Sequence, residues 1–316
     1  MAGIGTFISA GRSLDAAIER VRLAESLGYD STYVTHIAGR DSLTVLAAYA
    51  GATERIRLGT GVLPIYSRTP VATAQTAATI DEISGGRMVI GLGVSHRVTV
   101  EGWYGATIDQ PVEEMREYVT SMRAMFHGEE VPGGEERKWP TSFRFMGYDV
   151  RPDLPIYIAA LSPNMLRLAG EIGDGVLLWL CDPPYIRDVV IPEVTKGREA
   201  AGKTLEGFDI VPAVPVSVTE DRAATLARVR GDLVTYLSLP FYRSMLERSG
   251  FGEEIAAFDA GIADGDVERA KAAMSEEMLS SLGGHGGPDD VRAAVARYLD
   301  AGATSPGVSP VPGSDF

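Results

Sequence analysis

The chain has 316 residues, 45% of them hydrophobic, with 43 Asp and Glu against 29 Lys and Arg for a net charge of −14; that length accommodates one large α/β core, a single domain over residues 1–316. No basic block interrupts the acidic surplus, which argues against nucleic acid and anionic membrane surfaces as general partners. Cys181 is the sole cysteine, the N-terminus "MAGIGTFISAGRS" has no basic segment ahead of a long apolar run, and no apolar stretch approaches the roughly 18 residues that span a bilayer, so the expectation is a cytoplasmic protein without an internal disulfide.

Short apolar runs alternate with longer stretches of helical period. Gly3 to Ile8 is the first strand. Leu14 to Leu27 follows as a helix, with Leu14, Ala17, Ile18, Val21, Ala24 and Leu27 on one face and Gly28 closing it. "STYVTH" is strand two, "SLTVLAAYAGA" a helix and "IRLGTGVLP" strand three. Thr69 and Pro70 open the next helix as cap and first helical residue, and Gly85 and Gly86 close it. "RMVIGLGVSHR" is strand four, a helix runs from Pro111 to Phe126, and His127 to Asp153, rich in Gly, Pro and charge, is an irregular or hairpin insertion. "PIYIAAL" is strand five, followed by a helix that opens at Ser162 and Pro163. "GDGVLLWL" is strand six, and "FDIVPAVPVSVTE" is strand seven, with Pro212 and Pro215 confined to its start. Glu220 to Ala301 is almost wholly helical in pattern, and Ala303 to Val308 is an eighth strand interrupted by Pro306. This order predicts an α/β fold, a (β/α)8 TIM barrel with an insertion after strand four and extra helices before the last strand. An open doubly wound sheet is the alternative, disfavoured because nothing signals a reversal of strand order.

In a barrel the residues just after each apolar run are the site candidates. Gly91 and Gly93 let backbone approach a flat ligand, and Ser95 and His96 arrive where strand four meets the site; a strand-end bulge with a solvated His96 is the equal alternative. Strand two ends in Thr35 and His36. A histidine there either donates to a ring nitrogen or carbonyl and exchanges protons near neutral pH, or is merely hydrogen-bonded in a loop. His127 and His285, in polar glycine-rich segments, read as surface residues. In "GTGVLP", Gly59 to Pro64, two glycines mark either a bulge pressed against a planar ring or a kink in the barrel wall. In "ALSPNM", Ser162 and Pro163 make a helix start that binds phosphate through free N–H groups, or an ordinary cap. The chain has no metal-ligand spacing, no Walker A sequence, no G-x-G-x-x-G and no G-x-S-x-G, and Asp81, Glu82 and Glu101 form no glycosidase pair. What remains is a cofactor-dependent site in which the protein supplies position and electrostatics.

The segments "RLAESLGYDSTYVTH", "RIRLGTGVLPIYSRTPVATAQTAATIDEISGGRMVIGLGVSHR" and "LAGEIGDGVLLWL" together resemble the luciferase-like flavin and deazaflavin oxidoreductases, and "GLGVSH" and "VEGWYG" are most similar to the branch that uses coenzyme F420. The resemblance implies a TIM barrel, often a homodimer, with the deazaflavin at the C-terminal strand ends beside a small-molecule substrate. Carried over by residue, it implies a non-prolyl cis peptide at Gly61–Val62 behind the tricyclic ring. Gly93, Ser95 and His96 would then line the cofactor, and Ala160, Leu161, Ser162 and Asn164 would form its phosphate loop. His36 would be a cofactor contact and the catalytic candidate for proton transfer. Phe7, Tyr66, Trp179 and Tyr242 are candidates for an apolar substrate wall, and Arg12, Arg40, Arg68 and Arg97 for the entrance that holds an anionic tail. The expected activity is hydride transfer between the deazaflavin C5 and a small organic substrate. The alternatives are an FMN-dependent monooxygenase fed by a partner reductase and a non-catalytic flavin-binding barrel.

Overall fold

The computed structural model describes residues 3–9, 11–132, 137–147 and 149–311. Its strands are β1 (Gly5–Phe7), β2 (Ser31–Val34), β3 (Arg57–Thr60), β4 (Leu63–Pro64), β5 (Met88–Gly93), β6 (Ile156–Ala159), β7 (Gly175–Trp179), β8 (Asp209–Val218), β9 (Gly284–Gly286) and β10 (Gly307–Pro310). All pairings among them are parallel, and β10 bonds both β8 and β1, which closes eight strand positions into a barrel. β4 carries on from β3 against β5, and β9 rides on the far end of β8. The expected TIM barrel is therefore present and the open sheet is not.

Cap chemistry sets the crossover helices. Ser13, Asp41, Thr69 and Ser162 each accept a hydrogen bond from the backbone N–H three residues on, at the starts of helices Leu14–Ser26, Ser42–Ala50, Pro70–Ser84 and Pro163–Ile172. Gly28 and Gly85 take left-handed φ of 85° and 68° at two of the C-termini, as their positions require. No helix among the described residues is long and apolar enough to cross a membrane.

Several boundaries differ from the expectation, each for a local reason. The eighth strand starts at Gly307, because Thr304 and Ser305 both donate to the Ile210 carbonyl before the ladder begins. Strand three is split into β3 and β4 at the cis Gly61–Val62 peptide. Pro212 and Pro215 both lie within β8 rather than at its start, Pro212 opposite Leu178 of β7 and Pro215 opposite Ser309 of β10, because β8 runs on to pair with β7, β10 and β9 in turn. The chain turns helical directly after β5, over Arg97–Thr99 and a π turn at Val100–Tyr104. The described residues of the 127–153 insertion hold neither helix nor strand; the Glu117 carboxylate accepts the Lys138 and Trp139 N–H groups and fastens this segment to helix Pro111–Phe126. The extra helices between β8 and β9 run Arg222–Leu237, Pro240–Arg248, Gly252–Ala263, Val267–Ala272 and Glu276–Leu282.

The barrel interior is filled by rings laid over glycine backbone. Tyr33, Val89, Tyr157, Leu177 and Val211 form its buried cluster, with Phe7, Val62 and Ala159 above them. A Cβ on Gly59 would stand 2.5 Å from the Tyr33 ring, one on Gly175 2.9 Å from the Tyr157 ring, and one on Gly61 2.6 Å from Phe7 and 2.9 Å from the Tyr33 Cβ. Where β3 breaks, the buried Thr60 hydroxyl accepts the Gly91 N–H at 2.8 Å and donates to the Gly91 carbonyl at 2.7 Å, standing in for the lost ladder. Thr60→Val keeps the shape and orphans both groups. The expected cost is about 1–3 kcal/mol, read as a lower urea midpoint at unchanged slope; a midpoint equal to that of the parent chain would contradict this role.

Candidate functional site

Burial relaxes at the C-terminal ends of the strands, where Phe7, Gly61, Val62, Ala159 and Trp179 are half-buried while the residues below them are closed off. Phe7 stacks on Tyr33 with centroids 5.2 Å apart and reaches across to Gly307, where a Cβ would stand 2.7 Å away. Val62 leans against Gly93, where a Cβ would meet its Cγ2 at 2.6 Å, and against Ala159. The planar rings that require glycine in "GTGVLP" are thus the protein's own, and together with Val62 and Ala159 they make a flat apolar floor.

Donors and acceptors ring this floor. The His36 Nδ1 accepts the Ser42 N–H at 3.3 Å and lies 3.1 Å from the Ser42 hydroxyl, so the neutral ring carries its proton on Nε2, which has no partner among the described residues. Burial lowers the His36 pKa; Asp41, 3.9 Å away, opposes that shift, and Arg68 adds to it. Burial would raise the Asp41 carboxyl, yet the two Thr44 bonds and the Arg68 and His36 charges hold it below the ordinary carboxylate range. Beside His36, the Ser9 and Thr35 hydroxyls bond each other at 3.0 Å.

Two non-glycine residues with left-handed backbone, Ser95 at φ 59° and Leu180 at φ 52°, sit just beyond β5 and β7 at this same rim. Such conformations persist when their surroundings over-determine them, and they gather at functional sites. His96 follows Ser95 and is half-buried rather than solvated, and burial lowers its pKa. Its ring lies 6.2 Å from Tyr242, which lies 5.3 Å from Tyr236, which lies 5.8 Å from Trp179. Trp179 and Tyr242 therefore belong to one aromatic wall, completed by Tyr236, which sequence reasoning missed; its signal was its place near the end of the helix that precedes Tyr242.

At the β6 end, Ala160 donates to the Leu177 carbonyl at 3.3 Å, and the Leu161 carbonyl accepts the Tyr185 hydroxyl at 2.8 Å. Ser162 caps helix Pro163–Ile172, and Asn164 is exposed on its first turn. Tyr66 stands apart from the other wall candidates: its hydroxyl donates to the buried Glu114, under the Lys138 ammonium and beside Trp139. Among the entrance arginines, Arg68 pairs with Asp41 at 3.0 Å and Arg97 with Glu101 at 2.9 Å, while Arg40 donates to the Gly11 and Arg12 carbonyls. Asp182 is a second missed residue. Fully buried after β7, it accepts the Ser249 hydroxyl at 2.8 Å and the Tyr185 N–H at 3.2 Å, tying the helix that carries Tyr242 to the strand that carries Trp179. Its signal was an acidic cap before "PPY", the same pattern as Ser162–Pro163.

The sequence profile described as luciferase-like monooxygenase matches residues 1–305. The chain belongs to this luciferase-like family. It is 35% identical over 295 residues to the 5,10-methylenetetrahydromethanopterin reductase of Archaeoglobus fulgidus, covering 90% of this chain and 86% of that one. Its fold superimposes with a TM-score of 0.83 on the coenzyme F420-dependent tetrahydromethanopterin reductase of Methanopyrus kandleri, at 26% identity over 100% of this chain and 94% of that one. An F420-dependent secondary alcohol dehydrogenase shares the fold at a TM-score of 0.79 and 19% identity, covering 98% and 93%.

His285, expected at the surface, is 5% exposed on β9, and its Nδ1 is buried without a partner among the described residues. Its strand pairs with the end of β8 and packs against helices Arg222–Leu237 and Pro288–Asp300. Burial, reinforced by Arg222, lowers its pKa from the ordinary 6.5 to about 4. Above pH 6.5 the ring is neutral folded and unfolded. As pH falls from 6.5 toward 4 the unfolded chain takes up the proton first, so this stability is lost across that window. His285→Asn is expected to flatten the decline in urea midpoint between pH 7 and pH 4.5; an equal decline in both proteins would refute it.

Proposed function

We propose that the chain is a coenzyme F420-dependent oxidoreductase that moves a hydride between the deazaflavin C5 and a small organic substrate at the C-terminal mouth of the barrel. The observation that carries this reading is a flat apolar floor of Phe7, Val62 and Ala159 flanked by the His36 Nε2 donor and by the capped helix start at Ser162. The F420 dependence named for the Methanopyrus reductase supports the choice of coenzyme. The donor set fits such a group, because a planar ring needs a flat apolar plate and a phosphodiester needs free N–H groups at a helix start.

When bound, the coenzyme supplies hydride chemistry at C5, and this chain's residues supply everything around it. Gly61, Val62 and Gly93 back the ring from the floor. Ser95, His96 and His36 meet its polar edge. Ala160, Leu161, Ser162 and Asn164 hold the phosphate, with the Asn164 N–H as the first-turn donor, since Pro163 has no N–H and that of Met165 is taken by the Ser162 hydroxyl. Trp179, Tyr236 and Tyr242, with Phe7 at the floor, exclude water and orient the substrate. His36 acts first as an Nε2–H donor, since a second proton on Nδ1 would displace the Ser42 N–H that Nδ1 now accepts. Tyr66, tied to Glu114, supports the wall from behind. A homodimer is proposed on the family resemblance.

Titration of the purified chain with F420, followed by Trp fluorescence, is expected to saturate at micromolar or lower concentration, with FMN binding far more weakly. Ser162→Asp should weaken F420 by about tenfold or more, through like charge beside the phosphate. Preference for FMN would move the assignment to a monooxygenase. With the reduced coenzyme and an accepted substrate, His36→Ala should lower kcat by about 10²-fold, and His36→Asn, which restores an N–H donor, should recover part of that; equal losses would remove the donor role.

A further inference from the structure

The opposite end of the barrel carries an open cleft of about 770 Å³, lined by Gly3, Asp30, Arg55, Arg57, Asp209 and the Ala303–Ser305 segment. Most of its acceptors are engaged. Asp209 takes the Arg57 Nη1 at 2.9 Å and the Tyr157 hydroxyl on one oxygen and the Thr304 hydroxyl at 3.2 Å on the other, and an Asp30 oxygen takes the Ile4 N–H at 2.9 Å. Its donors are not. The Nε and Nη2 of Arg57 have no acceptor among the described residues, and the hydroxyl of Ser305, 1% exposed, is buried without a partner among them. Tyr33 lies near enough to feel the charges of both Arg57 and Asp209. Glycine keeps this room open, since a Cβ on Gly3 would strike the Asp30 carboxylate and one on Gly5 the Ser31 hydroxyl, both at 2.5 Å.

Buried hydroxyls are ordinarily paired, and an unpaired one beside an open guanidinium edge in the same cleft calls for a ligand that supplies acceptors. A planar carboxylate meets the open Nε–Nη2 edge of a guanidinium with two parallel bonds. We propose that the N-terminal mouth is a second binding site that takes a small carboxylate, seated on Arg57 with Arg55 at the rim and the Ser305 hydroxyl at its inner wall. The site is separate from the cofactor reading and stands whatever occupies the other mouth. Tyr33 spans the two ends: its phenol lies within reach of the Arg57 charge, and its ring stacks under Phe7 and borders Gly59.

The test is isothermal titration of the full chain with succinate at constant ionic strength, in parallel with orthophosphate. One saturable succinate site is expected, weakened about tenfold by Arg55→Gln and by Ser305→Ala, and unchanged by Ser162→Asp. Arg55 is exposed at the rim, so its variant keeps the test informative even if the buried Ser305 variant folds poorly. Absence of saturable heat overturns the proposal, as does a site that survives both substitutions. Loss of the site in Ser162→Asp would place the anion at the other mouth, and orthophosphate binding with the same dependence on Arg55 and Ser305 while succinate fails would overturn the carboxylate class.

Discussion

Everything at the C-terminal mouth depends on how two aromatic rings are accommodated inside the barrel. Phe7 and Tyr33 are too large to share the interior with side chains on the neighbouring strand, so that strand presents Gly59 and Gly61 to them. The glycines admit the rings, and the strand in turn breaks between Thr60 and Leu63. A gap in a parallel barrel would leave the Gly91 N–H and carbonyl buried and unpaired, and the Thr60 hydroxyl takes both. Floor, break and patch are therefore one arrangement, and Val62 comes to rest beside Gly93 and Ala159 because of it.

The two ends of the barrel are chemically unlike because the rings within it are polar at one end only. Tyr33 and Tyr157 lie with their apolar faces in the interior and their hydroxyls toward Arg57 and Asp209. That polar layer forms the base of the N-terminal end with ion pairing and phenols. The C-terminal end is left to apolar groups and to backbone at strand termini, where side chains from successive loops converge. Ser95 and Leu180 hold left-handed backbone at that rim, and the surrounding elements keep them there: helix Pro240–Arg248 is anchored through Ser249 to Asp182, two residues beyond Leu180.

Electrostatics at the candidate site come from short polar links rather than from net charge. The chain is strongly acidic overall, yet Asp41 is occupied as a helix cap and as the partner of Arg68, and so it tempers rather than dominates the ionisation of His36. Burial is the stronger influence on His36 and His96 alike, and it favours neutral rings that donate or accept hydrogen bonds. Neutral rings suit a site with an apolar floor, since a fixed charge beside that floor would lose its hydration if the floor were covered.

The sequence by itself determined the barrel, because alternation of short apolar runs with capped helical stretches is a local signal, and Ser162–Pro163, Thr69–Pro70, Gly28 and Gly85 mark helix ends through their own backbone preferences. It also indicated where the candidate residues lie, since strand ends follow from the same pattern. Its errors occurred where neighbours distant in the chain decide the outcome. Polar flanks suggested a surface place for His285, which β8 and two helices bury. That the Tyr66 hydroxyl is bonded to Glu114, 48 positions on, was equally invisible in the sequence. Tyr236 and Asp182 carried local marks of a helix end and a helix cap and none of a site, because their roles consist of contacts with Trp179, Tyr242 and Ser249. Whether the strand-three glycines served a ligand or the protein's own rings was likewise decided only in three dimensions, since that depends on which side chains the closed barrel turns inward.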